Sequence, residues 1–153
     1  MAQYNAGEVF QFAIKIEENG EKFYSKLAQS MDDPKARELF SFLAKEEVVH
    51  GNIFKDILER FADYSNPDQY PEEYFIYLKT LAENMIFNKD LDKEIERIKT
   101  KDDALKFAMQ QEWETILYYQ ELKTLVSDED KEKIDKLIAE EREHFMKLTE
   151  HQK

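Results

Sequence analysis

The chain has 153 residues, enough for one domain and its core but not for two, and 34 Asp and Glu against 22 Lys and Arg leave a formal charge of −12. An acidic chain lacks the cationic face that nucleic acid or an anionic membrane surface requires, and no apolar run approaches the roughly 18 residues of a membrane-spanning helix. With no cysteine there is no disulfide, thiolate zinc site, iron–sulfur cluster or cysteine nucleophile.

Three glycines and three prolines, with Glu, Lys and Leu abundant, predict an all-α chain. The start, Met1 to Glu8, has neither the basic nor the apolar stretch of a signal peptide, so the expectation is a single cytoplasmic domain over residues 1–153. A first long helix is predicted from about Asn5 to Met31, with Phe10, Ala13, Glu17, Gly20, Tyr24, Leu27 and Met31 on one stripe at steps of three and four. Asp33 can cap a second helix that Pro34 opens, since the first helical position needs no N–H. That helix runs to about Ala62 with Phe40, Leu43, Glu47, His50, Phe54, Ile57 and Phe61 facing in. Asn66-Pro67-Asp68 breaks it, Pro71 opens a short helix carrying Tyr74, Phe75, Tyr77, Leu78 and Leu81, and another covers about Asp90 to Lys99. A third long helix is expected from Asp102 or Asp103 to about Val126, with Leu105, Ala108, Glu112, Thr115, Tyr119, Leu122 and Val126 inside. Ser127-Asp128-Glu129-Asp130 fits a capping box, and a fourth helix follows to about Glu150.

Short loops make the first two and last two long helices antiparallel hairpins. The helical crossover over about 63–100 lets the second and third run parallel, giving a four-helix bundle with one long connection.

The two hairpins repeat. Adding 95 carries the first stripe onto the third, so Glu17 becomes Glu112 and Tyr24 becomes Tyr119; adding 94 carries Glu46-Glu47-Val48-Val49-His50 onto Glu140-Glu141-Arg142-Glu143-His144. Each odd helix thus has one Glu on its apolar stripe, and each even helix a Glu-x-x-His pair on one face. All six side chains fall near mid-helix and converge on one level of the interior. Four carboxylates there would repel one another and cost several kcal/mol each to desolvate. Two divalent cations would cancel that charge, and carboxylate with imidazole suits iron, manganese or zinc. This is the ligand pattern of di-iron carboxylate bundles. Tyr24 and Tyr119 lie two turns from their Glu, either as core tyrosines or as hydroxyls that orient a ligating carboxylate or lie on an electron path. Trp113 is read as packing, His151 as a solvated tail residue, and the Tyr-rich crossover as a cover for the bundle or a subunit contact.

With these motifs the sequence resembles the rubrerythrins of the ferritin-like superfamily. The resemblance rests on Ile16 to Tyr24, Glu46 to His50, Glu112 with Tyr118-Tyr119, and Glu140 to His144, and it covers nearly the whole chain. It implies a ferritin-like bundle with two iron ions held by Glu17, Glu47, His50, Glu112, Glu141 and His144. It also implies cytoplasmic reduction of hydrogen peroxide with electrons from a rubredoxin-type donor. The chain departs from the family in two ways. It carries no four-cysteine rubredoxin domain, so the donor is expected to be a separate protein. One turn after Glu112, where rubrerythrins carry an extra glutamate, it has Thr115, and the repeat mate is Gly20. The resulting symmetric six-ligand set matches bacterioferritins and raises a ferroxidase as the alternative. A storage cage is not expected, because no fifth helix follows and the crossover is helical; a homodimer is. An oxygenase acting on an organic substrate and a metal-stabilised binding protein are further readings.

Overall fold

The structure, a computed structural model, describes residues 7–64, 71–85 and 90–152. Six helices follow in order: α1 (Glu8–Ser30), α2 (Pro34–Tyr64), α3 (Glu72–Glu83), α4 (Leu91–Glu96), α5 (Lys101–Leu122) and α6 (Asp128–Glu150). No strand occurs among the described residues.

The predicted stops and starts that fall on described residues hold, with local differences; the start near Asn5 and the Asn66-Pro67-Asp68 break lie outside the described residues. Pro34 is the first residue of α2, and the Asp33 carbonyl accepts the Arg37 N–H at 3.0 Å. α4 is shorter than expected: Asp90 caps it, but it buries no side chain and ends at Glu96. Leu91 and Ile95 pack against the core but stay partly exposed, and so short a helix has little to extend it. Thr100, unnoticed in the sequence, forms a full capping box with Asp103 and starts α5 at Lys101, one or two residues early. The last turn before Val126 is a 3₁₀ turn over Lys123–Leu125 rather than more α-helix. At the start of α6 the Ser127 side chain accepts from the Asp130 N–H, while the Asp130 carboxylate also takes Arg60 at 2.5 Å.

Side-chain contacts fix the helix directions. Phe10 meets Phe61 and Tyr24 meets Phe40, at ring separations of 4.7 and 6.1 Å, so α1 and α2 are antiparallel. The Tyr118 hydroxyl donates to the Val9 carbonyl at 2.7 Å while Phe23 meets Phe107, so α1 and α5 are also antiparallel. α2 and α5 therefore run parallel, as the long crossover requires. α3 covers the bundle, burying Phe75, Leu78 and Ala82, and the Tyr74 hydroxyl lies 2.9 Å from the Glu121 carboxylate. Lys26 pairs with Asp92 and ties α4 to α1.

Every stripe residue of the first three long helices is buried except Met31, which is half-buried. The buried arc is wider than one stripe, taking in Val9, Ile16, Phe23, Ala104, Gln111 and Tyr118, because each helix meets two neighbours and the crossover. Trp113 does not pack: at 59% exposure it stands on the outer face of α5, one helical step past Glu112. His151 is half-buried rather than free, its Nδ1 2.9 Å from the Lys147 carbonyl, which also accepts the His151 N–H at 3.3 Å. No described helix is long and apolar enough to cross a membrane.

Candidate metal centre

The four long helices bring Glu17, Glu47, His50, Glu112, Glu141 and His144 together, each at most 3% exposed. The spacing explains why. In each even helix the Glu and the His three residues later share a face, and the antiparallel pairing puts the mid-points of all four helices at one level. Two groups of four side chains result, Glu17, Glu47, His50 and Glu141 in one and Glu47, Glu112, Glu141 and His144 in the other. Within each group one ligand atom per residue lies within 4.8 Å of the others. Glu47 and Glu141, one from each even helix, belong to both. His50 Nδ1 is 2.7 Å from Glu141 Oε1 and 3.8 Å from Glu17 Oε1. His144 Nδ1 is 3.4 Å from Glu141 Oε2 and 3.9 Å from Glu112 Oε1.

Two details lay beyond the sequence reading. First, each tyrosine serves the other half of the repeat. The Tyr24 hydroxyl donates to Glu112 Oε1 at 2.6 Å, and the Tyr119 hydroxyl donates to Glu17 Oε1. The sequence offered only the Glu seven residues away on the same helix; the antiparallel pairing of α1 and α5 exchanges the partners. Second, His50 Nε2 lies 2.8 Å from the half-buried Glu140 carboxylate, which fixes the ring with Nδ1 turned to the cluster. The signal was present, since an acidic residue precedes Glu47 and Glu141 in both repeats. Beside the cluster, buried Gln111 donates through Nε2 to the Thr115 hydroxyl at 2.7 Å.

The electrostatics follow from crowding. Burial, opposed by hydrogen bonding with Glu47 and reinforced by the Glu141 charge, pushes the Glu17 carboxyl up to about 7. Burial and then neighbouring carboxylates, Glu17 for Glu47 and Glu141 for Glu112, push those two well above the usual range. Glu141 goes the other way: burial opposes its ionisation, but the close approach of Glu112 and His144 and the bond from His50 hold it below the usual range. Burial would lower His50, yet the bond to Glu141 and the charges of Glu141 and Glu17 raise it to about 10. Burial, then the charges of Glu112 and Glu17, holds the Tyr24 and Tyr119 hydroxyls protonated. Without metal, then, the cluster carries protons where cations could sit.

The donor set passes a direct test of fit. Five buried side-chain atoms have no hydrogen-bond partner among the described residues: Glu17 Oε2, Glu112 Oε2, Glu141 Oε2, His144 Nδ1 and, beside the cluster, Gln111 Oε1. Such atoms cost about 1–3 kcal/mol each, and four of the five belong to the two groups of candidate ligands. Cations in the two groups would accept lone pairs from those four.

Comparison with known proteins agrees with this arrangement. The chain resembles a candidate ferritin-like diiron-carboxylate protein from Thermotoga maritima, with a TM-score of 0.71 and 24% identity over 98% of this chain and 95% of that one. That likeness supports the ferritin-like fold. No curated protein matches the chain. The rubrerythrin family model matches residues 8–152, nearly the whole chain, and the protein belongs to the rubrerythrin family.

Proposed function

We propose that the chain is a cytoplasmic di-iron oxidoreductase of rubrerythrin type, reducing hydrogen peroxide with electrons from a separate donor protein. The observation that carries this reading is the sharing of Glu47 and Glu141 between two four-residue groups. Glu17 and His50 would hold one ion, Glu112 and His144 the other, and the shared carboxylates would serve both. Iron bound there would supply the two electrons needed to reduce hydrogen peroxide, with two protons, to water, and positive charge to offset the anionic oxygens.

The chain's own residues prepare this chemistry. Tyr24 and Tyr119 each hold one carboxylate oxygen of the opposite repeat, leaving the other oxygen of Glu112 and Glu17 unpaired. Glu140 takes one nitrogen of His50, which presents the other. Phe40 and Phe54 pack on Tyr24 and Tyr119 and exclude water from those hydroxyls. The chain has no cysteine with which to pass electrons itself. Exposed Ile76 and Tyr77 on α3 support a homodimer formed through the crossover.

Thr115 favours a second reading. It is buried and bonded to Gln111 where the peroxide-reducing pattern has a carboxylate, so a ferroxidase with the symmetric ligand set is the competing function. Anaerobic loading with Fe²⁺ followed by rapid mixing decides between them. Oxidation faster with peroxide than with oxygen, and re-reduction by a rubredoxin, fits the oxidoreductase. Faster oxidation by oxygen without re-reduction fits the ferroxidase. A chain that holds less iron than one occupied site requires would defeat both.

A further inference from the structure

We propose that the seam between α1 and α2 is the route by which divalent metal ions reach the buried carboxylates, and that the equivalent seam between α5 and α6 is closed. The proposal rests on the metal-centre reading above.

A cleft of about 320 Å³ opens along the α1–α2 seam, and its lining includes Glu17 and Glu47, one candidate ligand from each helix. Glu17, whose Oε2 is buried without a hydrogen-bond partner, belongs to that lining. Gly51 gives the cleft its depth. It sits one turn after Glu47, and a Cβ there would lie 3.4 Å from the Glu17 Cβ, so any longer side chain would fill the space. A second opening, between α2 and α6, is lined by Asp56, Lys133, Lys136 and Glu140; Glu140 belongs to neither four-residue group, though it bonds His50 and forms a smaller group with His50 and Glu46.

The internal repeat supplies an independent comparison. Carried onto the second hairpin, Gly51 becomes Phe145 and Asn52 becomes Met146, while Glu18, Glu21 and Lys22 become Trp113, Ile116 and Leu117. The ligands repeat, but the residues over them do not. One seam is polar and opened by a glycine. The other carries a half-buried phenylalanine at the position of that glycine, flanked by exposed Trp113, Leu117 and Met146 and by Arg142 in place of Val48.

Charge favours a cation. Glu18 and Glu21 line the cleft together with Glu17 and Glu47, against Lys22 and Lys55, and the net charge of −12 draws cations to the surface. Lys55 Nζ lies 3.8 Å from Glu18, but both side chains are more than half exposed, so the pair is weak and easily parted.

The test follows Co²⁺ uptake by the metal-stripped full chain, read by the visible absorption of the bound ion in a stopped-flow instrument. In Gly51→Phe, uptake slows by roughly tenfold or more while the final Co²⁺ content stays at the wild-type level, because a seam packed to interior density passes no ion. Gly51→Ala loads at the wild-type rate, since its Cβ makes an ordinary contact. Glu18→Lys combined with Glu21→Lys, at an exposed and a half-buried position outside the ligand groups, slows uptake by about tenfold at low ionic strength and by much less in high salt. This charge pair decides the matter alone if Gly51→Phe fails to fold. A folded Gly51→Phe loading at the wild-type rate, or charge reversal without effect at low salt, overturns the route while leaving the centre standing. A wild-type chain that takes up no Co²⁺ overturns the centre itself.

Discussion

Stripped of metal, the protein should lose stability as pH rises, the reverse of what an ordinary salt-bridged carboxylate produces. Glu17 is the clearest source. Its carboxyl is raised from 4.5 to about 7 in the fold, so between those values the folded chain holds a proton that the unfolded chain has released. Stability then falls as pH rises through this window, by about 3 kcal/mol for Glu17 alone. Glu47 and Glu112, also raised, act with the same sign. His50, raised from 6.5 to about 10, contributes stability that is complete below 6.5 and lost as pH climbs through about 10, so it extends the decline. Glu141, depressed, contributes stability that is lost only as pH falls below 4.5, outside the window. For a chain of this size ~3 kcal/mol corresponds to roughly 6–12 °C in melting temperature. Thermal unfolding of the apo protein, followed by circular dichroism between about pH 5 and about pH 8, should show a drop of that order. Metal binding needs deprotonated carboxylates, so the loaded protein should stay level or gain, and the gap between the two should widen with pH. Glu17→Gln, which keeps the shape without the titration, should flatten the apo curve. A melting temperature that is constant or rising over this range in the apo protein, or a Glu17→Gln curve parallel to wild type, would refute the reasoning.

Other consequences are open to measurement. Glu112→Ala should sharply reduce iron per chain by elemental analysis after anaerobic loading, because it removes a donor from one of the two groups; undiminished content would place Glu112 outside the centre. Tyr119→Phe should destabilise the apo fold by about 1–2 kcal/mol and steepen its pH dependence, since the lost hydrogen bond is one that holds the Glu17 carboxyl down; a shallower curve would contradict this. Thr115→Glu should bind metal at least as well and lower the reduction potential by adding an anionic oxygen; a raised potential or an identical spectrum would show that position 115 does not face the metals. Light scattering should find a dimer, and a particle many times that mass would favour storage.

The bundle was legible because its signals are periodic. Steps of three and four placed Phe40, Leu43, Glu47, His50, Phe54, Ile57 and Phe61 on one face of α2, and all are buried. Two Glu-x-x-His pairs, repeated at 94 residues with matching apolar neighbours, located the cluster. What could not be read depends on relations between helices. Periodicity says that Tyr24 faces inward, but only the antiparallel pairing of α1 and α5 sends its hydroxyl to Glu112 rather than Glu17. Glu140 lies off the apolar stripe, and its value appears only once α2 brings His50 beside it. Trp113 misleads for a similar reason, since a large apolar residue next to a buried one is judged by composition, whereas a 100° step along the helix decides its exposure.

The repeat carries a further consequence for how the two halves work. The ligands match across the halves, but their flanks do not. Gly20 on α1 answers to Thr115 on α5, and Ile16 to Gln111, so a hydrogen-bonded polar pair lies beside Glu112 where Glu17 has a glycine and an isoleucine. On the outer side Gly51 answers to Phe145, so the cleft lies against Glu17 and not against Glu112. The symmetric part of the sequence fits what two similar cations need, and the asymmetric part gives them unlike surroundings. A position beside the cleft exchanges with solvent more readily, and one beside a buried hydroxyl and amide has polar partners close at hand. Two ions held this way should differ in affinity and lability even though their donors are the same. Stepwise Co²⁺ titration should therefore resolve two binding events, and Gly51→Phe should slow the dissociation of whichever ion leaves first.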